Sequence, residues 1–359
     1  MSTEAARRMA QTTLYQVAER AGVSLATASR VLNGSTRQVG SELQARVLAA
    51  ARELRYTANG PAQAMARGHS NTVGLLVADI ADPYFTQIAA GVVDAAEQHG
   101  LTVTMGTTDR DPVREIGHLA GFRSQRARGV IIVGSRLVGV DGAVAASADN
   151  GAGEAGEHTT LDEEIAAFAD IDGRVVMISQ PFADLPVVEV ANQELAHELA
   201  DSLVEQGHTT FAVLGGPEGL ATARDRVAGF LAGLAERGIE VDPEHVVAGP
   251  FNRDGGHLAM TELLERTTTP GCVFAVTDAM ALGAMAAIRE AGLVPGRDIA
   301  VAGFDNIPTL ADVQPGLTTV DLPLREAGRL AIELLTDPDG EPVRRVSGQI
   351  VLRESTALP

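Results

Sequence analysis

Two groups of side chains in this sequence have types and spacings that could act on another molecule. The first lies in residues 24–33, where Leu25, Ala26, Thr27, Ser29, Arg30 and Asn33 take the outward positions of a short helical repeat. Small apolar and hydroxyl side chains with one arginine suit a helix lying in a DNA major groove. A guanidinium reads the two acceptors of a guanine edge, and hydroxyls and amides reach phosphates. The second group is scattered at the ends of apolar runs: Asp82, Tyr84, Phe85, Ser135, Ser179, Arg226, Phe251, Thr277 and Asp305. In open α/β sheets ligands sit at the carboxyl ends of strands. Carboxylates, an arginine and aromatic rings converging there are the chemistry of polyol recognition, in which hydrogen bonds fix hydroxyls and a ring covers the apolar face of a sugar.

The elements that must position the first group are short helices. Leu14, Val17, Ala18 and Ala21 recur at helical spacing, Thr13 can cap the stripe, and Gly22 breaks it. Ser24 caps a second helix that turns Ala28, Val31 and Leu32 toward the first. Two short helices about a glycine turn make a helix-turn-helix. After a loop at 34–40, Ser41 is expected to cap a third helix to about Arg55, with Leu43, Val47, Leu48, Ala51 and Leu54 inward, and Tyr56 closing the unit.

From Asn71 the pattern changes. Apolar runs (V-G-L-L-V-A-D-I, L-T-V-T-M-G-T-T, G-V-I-I-V-G-S, V-V-M-I-S, F-A-V-L-G-G, V-F-A-V-T, I-A-V-A-G-F) alternate with amphipathic segments at 84–98, 114–125, 192–205, 224–237 and 279–290. Strand–helix alternation of this kind predicts parallel, doubly wound sheets. A Gly/Ala-rich stretch at 138–158 reads as an inserted surface loop. Its carboxylates and His158 are read as solvated rather than as a metal site.

Charge separates the same two regions. Residues 1–68 hold nine arginines and four acids, so that segment is +5 and the remainder is -24 of the total -19. A basic module on an acidic body binds phosphate with one end only. No run of 18 apolar residues suggests a membrane span, and the first twelve residues, read as a polar disordered tail, lack a secretory apolar region. The single cysteine, Cys272, is read as a buried small hydrophobe. A cytoplasmic location is expected. Catalysis is not: there is no Gly-x-Ser-x-Gly elbow, no P-loop and no histidine pair at metal spacing, so neither metal nor cofactor is expected.

The stretch L-Y-Q-V-A-E-R-A-G-V-S-L-A-T-A-S-R-V-L-N resembles the DNA-binding headpiece of the lactose-repressor/galactose-repressor (LacI/GalR) family of bacterial transcription regulators, and the resemblance runs almost to the C-terminus. It implies a helix-turn-helix headpiece on an α/β, two-lobed, periplasmic-binding-protein-like core. In the headpiece it implies that Arg30 reads a guanine, that Leu25 and Ala26 set base preference, and that Tyr15, Ser24, Thr27, Ser29 and Asn33 hold phosphates, with Thr13 beside them in the contact set. In T-A-N-G-P-A-Q-A-M-A-R-G-H-S it implies a hinge helix capped by Asn59, with Ala62 and Gln63 facing the minor groove and Met65 as the apolar wedge. A plain linker is the alternative there, because Gly60 and Pro61 are unusual.

The resemblance also assigns the cleft. D-I-A-D-P-Y-F is similar to the family's D-I-x-N-P-F-F, R-V-A-G-F to its R-x-x-G-F with Arg226 as the forked donor, and G-F-D-N places Asp305 as the ligand carboxylate. Phe251 stands where an aromatic lines the cleft. Thr277 replaces an asparagine and Ser179 an aspartate, which shortens two hydrogen-bonding positions and leaves the ligand class open.

The expected domains are a tail at 1–12, headpiece 13–58, hinge 59–70 and core 71–359. The first lobe is expected to span about 71–177 and 324–348, and the second about 178–323 and 349–359. The expected function is a ligand-responsive repressor of carbohydrate genes, acting as a homodimer on pseudo-palindromic operator DNA. The alternatives are a solute-binding protein whose headpiece is vestigial, or a regulator whose effector is a nucleobase or sugar phosphate. Dimerisation is expected through the first lobe, to which the segment 324–335 returns.

Overall fold

The computed structural model describes residues 12–33, 39–57, 68–134, 160–266 and 270–358. The chain forms two compact units, Met1–Ser70 and Asn71–Pro359.

The first unit holds three helices: α1 (Leu14–Ala21), α2 (Leu25–Asn33) and α3 (Ser41–Glu53). Thr13 starts α1 with a capping box: its hydroxyl accepts from Gln16 N, and the Gln16 side chain accepts from Thr13 N. Gly22 ends α1 in the left-handed region at φ 64°, where a side chain would also meet the Arg46 guanidinium that donates to Ala21 O. Ser24 Oγ then accepts from Thr27 N, starting α2. The core of this unit is small: Val17, Ala18, Ala21, Ala28, Val47, Ala50 and Ala51, with Leu14, Val31, Leu32, Leu54 and Tyr56 against them.

Two expectations for α3 are corrected. Leu43 and Leu48 are exposed, because the inward stripe is Val47, Ala50 and Ala51 at the i, i+3, i+4 interval. Ser41 is the first helical residue, not the cap, and Gly40 holds the cap position without a side-chain bond.

The second unit contains two parallel sheets. The strands of the first are β1 (Thr72–Val77), β2 (Thr102–Thr107), β3 (Gly129–Val133), β4 (Arg174–Ser179), β5 (Val187–Val190) and β11 (Val343–Val346), in the order β11-β5-β4-β3-β1-β2. The second has β6 (Phe211–Gly215), β7 (Val246–Ala248), β8 (Cys272–Ala275) and β9 (Ala300–Ala302), in the order β7-β6-β8-β9. An antiparallel pair, β10 (Thr319–Asp321) with β12 (Gln349–Val351), lies beside β9.

The helices of this unit are α4 (Pro83–Gln98), α5 (Pro112–Ser124), α6 (Leu161–Ala169), α7 (Asn192–Glu205), α8 (Ala221–Glu236), α9 (Arg253–Glu265), α10 (Asp278–Glu290) and α11 (Leu324–Thr336). The central strands β1, β3, β6 and β8 are buried nearly end to end, as sheets covered on both faces must be.

The chain passes between lobes after β5, between β10 and α11, and between β11 and β12. The expected lobe boundary at 177/178 is therefore corrected: β4 ends at Ser179, and β5 pairs with β4 and β11 in the first sheet, so the first lobe continues to Val190. The segment 324–335 does return to the first lobe, where α11 packs along α4. The insertion at 138–158 lies outside the described residues. Cys272 is fully buried, and burial pushes its thiol far up.

Candidate effector cleft and nucleic-acid interface

In the first unit the side chains expected to face outward from α2 are exposed in part. Tyr15, Ser24, Leu25, Ala26 and Arg30 are exposed, and Thr27 and Ser29 are half-buried. Tyr15 and Leu25, at 66% and 49% exposure, are large apolar groups that this small unit leaves in water. The Thr13 and Ser24 hydroxyls are already engaged in helix caps. Asn33 is the last residue of α2. Asn59, Ala62, Gln63, Met65 and Ser135 lie outside the described residues.

In the second unit one small cavity gathers every other expected cleft residue. Asp82, Tyr84, Phe85, Ser179, Arg226, Phe251, Thr277 and Asp305 all line it. Their positions follow from strand ends. Asp82 caps α4 just beyond β1, its Oδ1 accepting from Tyr84 N at 2.9 Å. This sets Tyr84 and Phe85 in the first turn, edge-to-face with centroids 5.1 Å apart. Ser179 ends β4 at φ 90°, and Asp305 follows β9 at φ 121°. Left-handed backbone at non-glycine residues is strained, and such strain collects at functional sites. Thr277 caps α10, its hydroxyl accepting from Met280 N.

Arg226 is the centre. It is 1% exposed, and its guanidinium lies over the Phe304 ring, 3.9 Å from the centroid. Nε donates to Asn192 Oδ1 at 2.8 Å and Nη1 to Val276 O at 2.7 Å. Nη2 lies 2.9 Å from Asp305 Oδ1. Beyond this ion pair, no other group among the described residues donates to the buried Asp305 Oδ1. Such an acceptor is costly to leave unfilled and is suited to a ligand O–H or N–H.

Burial pushes the Asp305 carboxyl well above its ordinary range, and Arg226 pulls it back only in part. Burial also raises Asp82, opposed by its bond from Tyr84 N and by Arg110. The Tyr84 phenol is pushed far up by burial and then by the Asp305 charge. Asp278, behind the cleft, is raised to about 6 by burial, although it accepts from Thr319 Oγ1 at 2.6 Å and Ile307 N at 2.9 Å. It braces the loop that carries Asp305.

Four lining residues escaped the sequence reading: Arg110, Gly134, Leu220 and Thr222. Arg110 follows β2 and stands over the Phe251 ring, 5.4 Å from its centroid, so it bridges the two lobes. The rule of strand ends would have found it. Thr222 sits one turn before Arg226 on α8, with Oγ1 3.4 Å from Ser179 Oγ. Among the described residues, no cluster of His, Cys, Asp and Glu side chains is placed to hold a metal ion, and no helix is long and apolar enough to cross a membrane.

Comparison with known proteins places both units of the chain in one family. Residues 13–59 match the family model for bacterial regulatory proteins of the lacI family, and residues 200–356 match the periplasmic binding protein-like domain. The HTH-type transcriptional repressor CytR of Escherichia coli (strain K12) is 32% identical over 355 residues, 97% of each chain. Among solved structures, the lac repressor dimer bound to operator and the anti-inducer ONPF superposes with a TM-score of 0.80 at 26% identity, over 97% of this chain and 99% of that one. A complex of the transcriptional regulator CelR with cellobiose gives 0.65 at 27% identity, over 96% and 99%. The relatives are transcriptional regulators, and the chain belongs to the LacI family of bacterial regulatory proteins.

Proposed function

We propose that this chain is a cytoplasmic repressor that binds operator DNA as a homodimer and releases or tightens its hold when a small carbohydrate enters the cleft. The observation that carries the proposal is the buried Arg226–Asp305 pair, with its unfilled carboxylate oxygen and the Tyr84, Phe85 and Phe251 rings beside it, in a chain that also presents the exposed face of α2. Arg30 is the base reader, Leu25 and Ala26 meet thymine methyls, and Tyr15, Ser24, Thr27, Ser29 and Asn33 hold phosphates. Two headpieces related by a dyad read two half-sites. Asn59, Ala62, Gln63 and Met65 belong to the hinge that enters the minor groove.

The cleft cavity measures about 20 Å³, whereas pockets for small ligands run to ~300–1,000 Å³. A sugar therefore enters only as the lobes part, and the Arg110–Phe251 contact that spans them must yield. Ligand affinity and lobe geometry are then linked, which is the requirement for allosteric control. The short hydroxyls of Ser179 and Thr277 leave room where bulkier amide or carboxylate groups would fill the cleft. That favours a glycoside larger than one ring, in keeping with the cellobiose bound to CelR.

The test is a thermal-shift screen of the full chain against mono- and disaccharides, with operators selected from random palindromes. A saccharide should raise Tm in the native chain and not in Asp305→Asn, and should change operator affinity. Saccharide binding with no DNA binding at any salt would favour a solute-binding protein. DNA binding with no response to saccharides would assign the cleft to a nucleobase or sugar phosphate.

A further inference from the structure

Arg110 belongs to the first lobe yet reaches the second. It follows β2 in a turn pinned to the end of β1, where Thr108 N donates to Val77 O at 2.9 Å and Asp109 N to Ala78 O at 3.0 Å. Asp109 and Arg110 are both left-handed, at φ 52° and 59°. Two unfavourable backbone conformations in succession thus carry this side chain to the cleft. There the guanidinium carbon lies over the Phe251 ring, 5.4 Å from its centroid. The ring is seated in the second lobe against Gly216, where a Cβ would come within 2.6 Å of Phe251 Cδ2. The second lobe backs the ring, and Arg110 covers it from the first.

The guanidinium passes over the anions near it. Among the described residues it makes no hydrogen bond and no close ion pair. Asp109 pairs with Arg114 instead, Asp79 Oδ1 accepts from Ala81 N at 2.8 Å, and Asp82 Oδ1 accepts from Tyr84 N at 2.9 Å. Burial lowers the Arg110 pKa, and the charges of Asp82, Asp79 and Asp109 oppose that only from farther off. A cation is held on a ring more strongly where water is partly excluded, and both residues are half-buried. Ser179 Oγ and Thr222 Oγ1 also meet across the lobes, but at 3.4 Å, beyond the ordinary length of a hydroxyl hydrogen bond. We infer that Arg110 is a clasp that holds the two lobes together by covering Phe251, so that the ring becomes available to a ligand only as Arg110 leaves it. The use of the ring by a ligand rests on the cleft being the effector site; the clasp does not.

The test uses the full chain without DNA or sugar, so its failure is separate from failure of the regulator reading. The chain has three tyrosines and no tryptophan. Tyr84 lines the cleft and is buried, whereas Tyr15 and Tyr56 belong to the headpiece. In a Tyr15→Phe/Tyr56→Phe background, tyrosine emission therefore reports on the cleft alone. Arg110→Ala in that background should make acrylamide quench the emission at least about twofold more steeply, since a shielded cation–π contact is worth about tenfold in an open–closed balance. Arg110→Gln removes the charge but keeps a polar side chain on the turn, and should give the same rise even if alanine disturbs the turn. Phe251→Leu should reproduce it. Arg110→Ala/Phe251→Leu should exceed neither single variant, because both remove one contact. Quenching unchanged in Arg110→Ala and Arg110→Gln would overturn the clasp. So would a rise that Phe251→Leu does not share, or single effects that add in the double variant.

Discussion

The headpiece and the cleft solve opposite problems. The headpiece keeps its functional side chains in water and holds them with local bonds: Thr13 to Gln16, Ser24 to Thr27, Arg46 to Ala21. Its apolar core is mostly alanine and valine, too little to tolerate much strain. The cleft buries its functional groups, draws them from residues 82 to 305, and surrounds them with two sheets that can bear unfavourable backbone at Ser179 and Asp305. A surface that meets a long, charged partner needs exposed donors in a fixed register. A site that meets a small molecule needs donors stripped of water, and only a large core can hold them there. Substitutions of exposed side chains that cap no helix should therefore cost binding alone in the first region, and substitutions in the cleft should cost both binding and stability.

The largest expected effect tests this directly. Arg226→Ala leaves Asp305 buried without its cation, a change that costs about 3–5 kcal/mol for pairs of this kind. Calorimetry should show the loss confined to the transition of the core, with that of the headpiece unmoved. If both transitions fall together, the two regions are not independent units. Next in size, Arg30→Ala should remove about 1–3 kcal/mol of base discrimination at one operator position while Tm stays unchanged. A fall in Tm would mean that Arg30 supports the fold and that the contrast between the regions is weaker than stated. Smaller still, Thr13→Ala should cost about 1 kcal/mol, the usual value of a helix cap. Because the headpiece core is so small, that loss should appear as fraying of α1 by hydrogen exchange, with no change in the core.

The same contrast explains what could be read from the sequence. The headpiece was legible because its determinants are contiguous: cap, apolar stripe, glycine stop and second cap fall within 21 residues and obey local rules. The misplaced residues there, Leu43 and Leu48, were assigned inward by apolar character alone, whereas Ala50 fills the position that helical spacing requires. In the core, β1, β2, β3, β4, β6, β8 and β9 were legible as apolar runs. The strands β5, β7, β10 and β11 were not, since their three or four residues stand outside such runs, and missing β5, which lies between β4 and β11, displaced the lobe boundary.

Helix α9 was missed for a different reason. R-D-G-G-H reads as a loop, yet Gly255 and Gly256 are there because a side chain would strike Pro250 O and Met280 O as α9 packs on α10. Low helix propensity was overridden by close packing. The cleft residues were found through motif likeness and strand ends. Arg110 was passed over because T-T-D-R carries no motif, although it stands at a strand end like the others.

The smallest effect concerns pH and falls on the cleft side alone. Asp278 is fully buried, and its pKa lies at about 6 against an ordinary 3.8. A carboxyl whose folded pKa is raised favours the folded state most when protonated. Its contribution is fully present below 3.8 and is lost as pH rises through about 6, because the native state binds the proton more tightly than the unfolded chain does. Asp82 and Asp305 are shifted in the same direction and add to the trend. Paired carboxylates elsewhere, such as Glu194 with Arg345 and Glu326 with Arg329, are lowered and oppose it at acid pH, but they are largely exposed and weak. Tm measured from pH 4 to pH 7 should therefore show a component of the core transition that declines toward neutrality. Asp278→Asn keeps an acceptor for Ile307 N, turns its amide NH2 toward the Thr319 hydroxyl, which can accept from it, and cannot titrate, so it should flatten that component while leaving the headpiece transition as it was. An unchanged slope in the variant would place the titration on Asp82 or Asp305 instead, inside the cleft rather than behind it. In that case saccharide affinity, and not only stability, should follow pH through the same range.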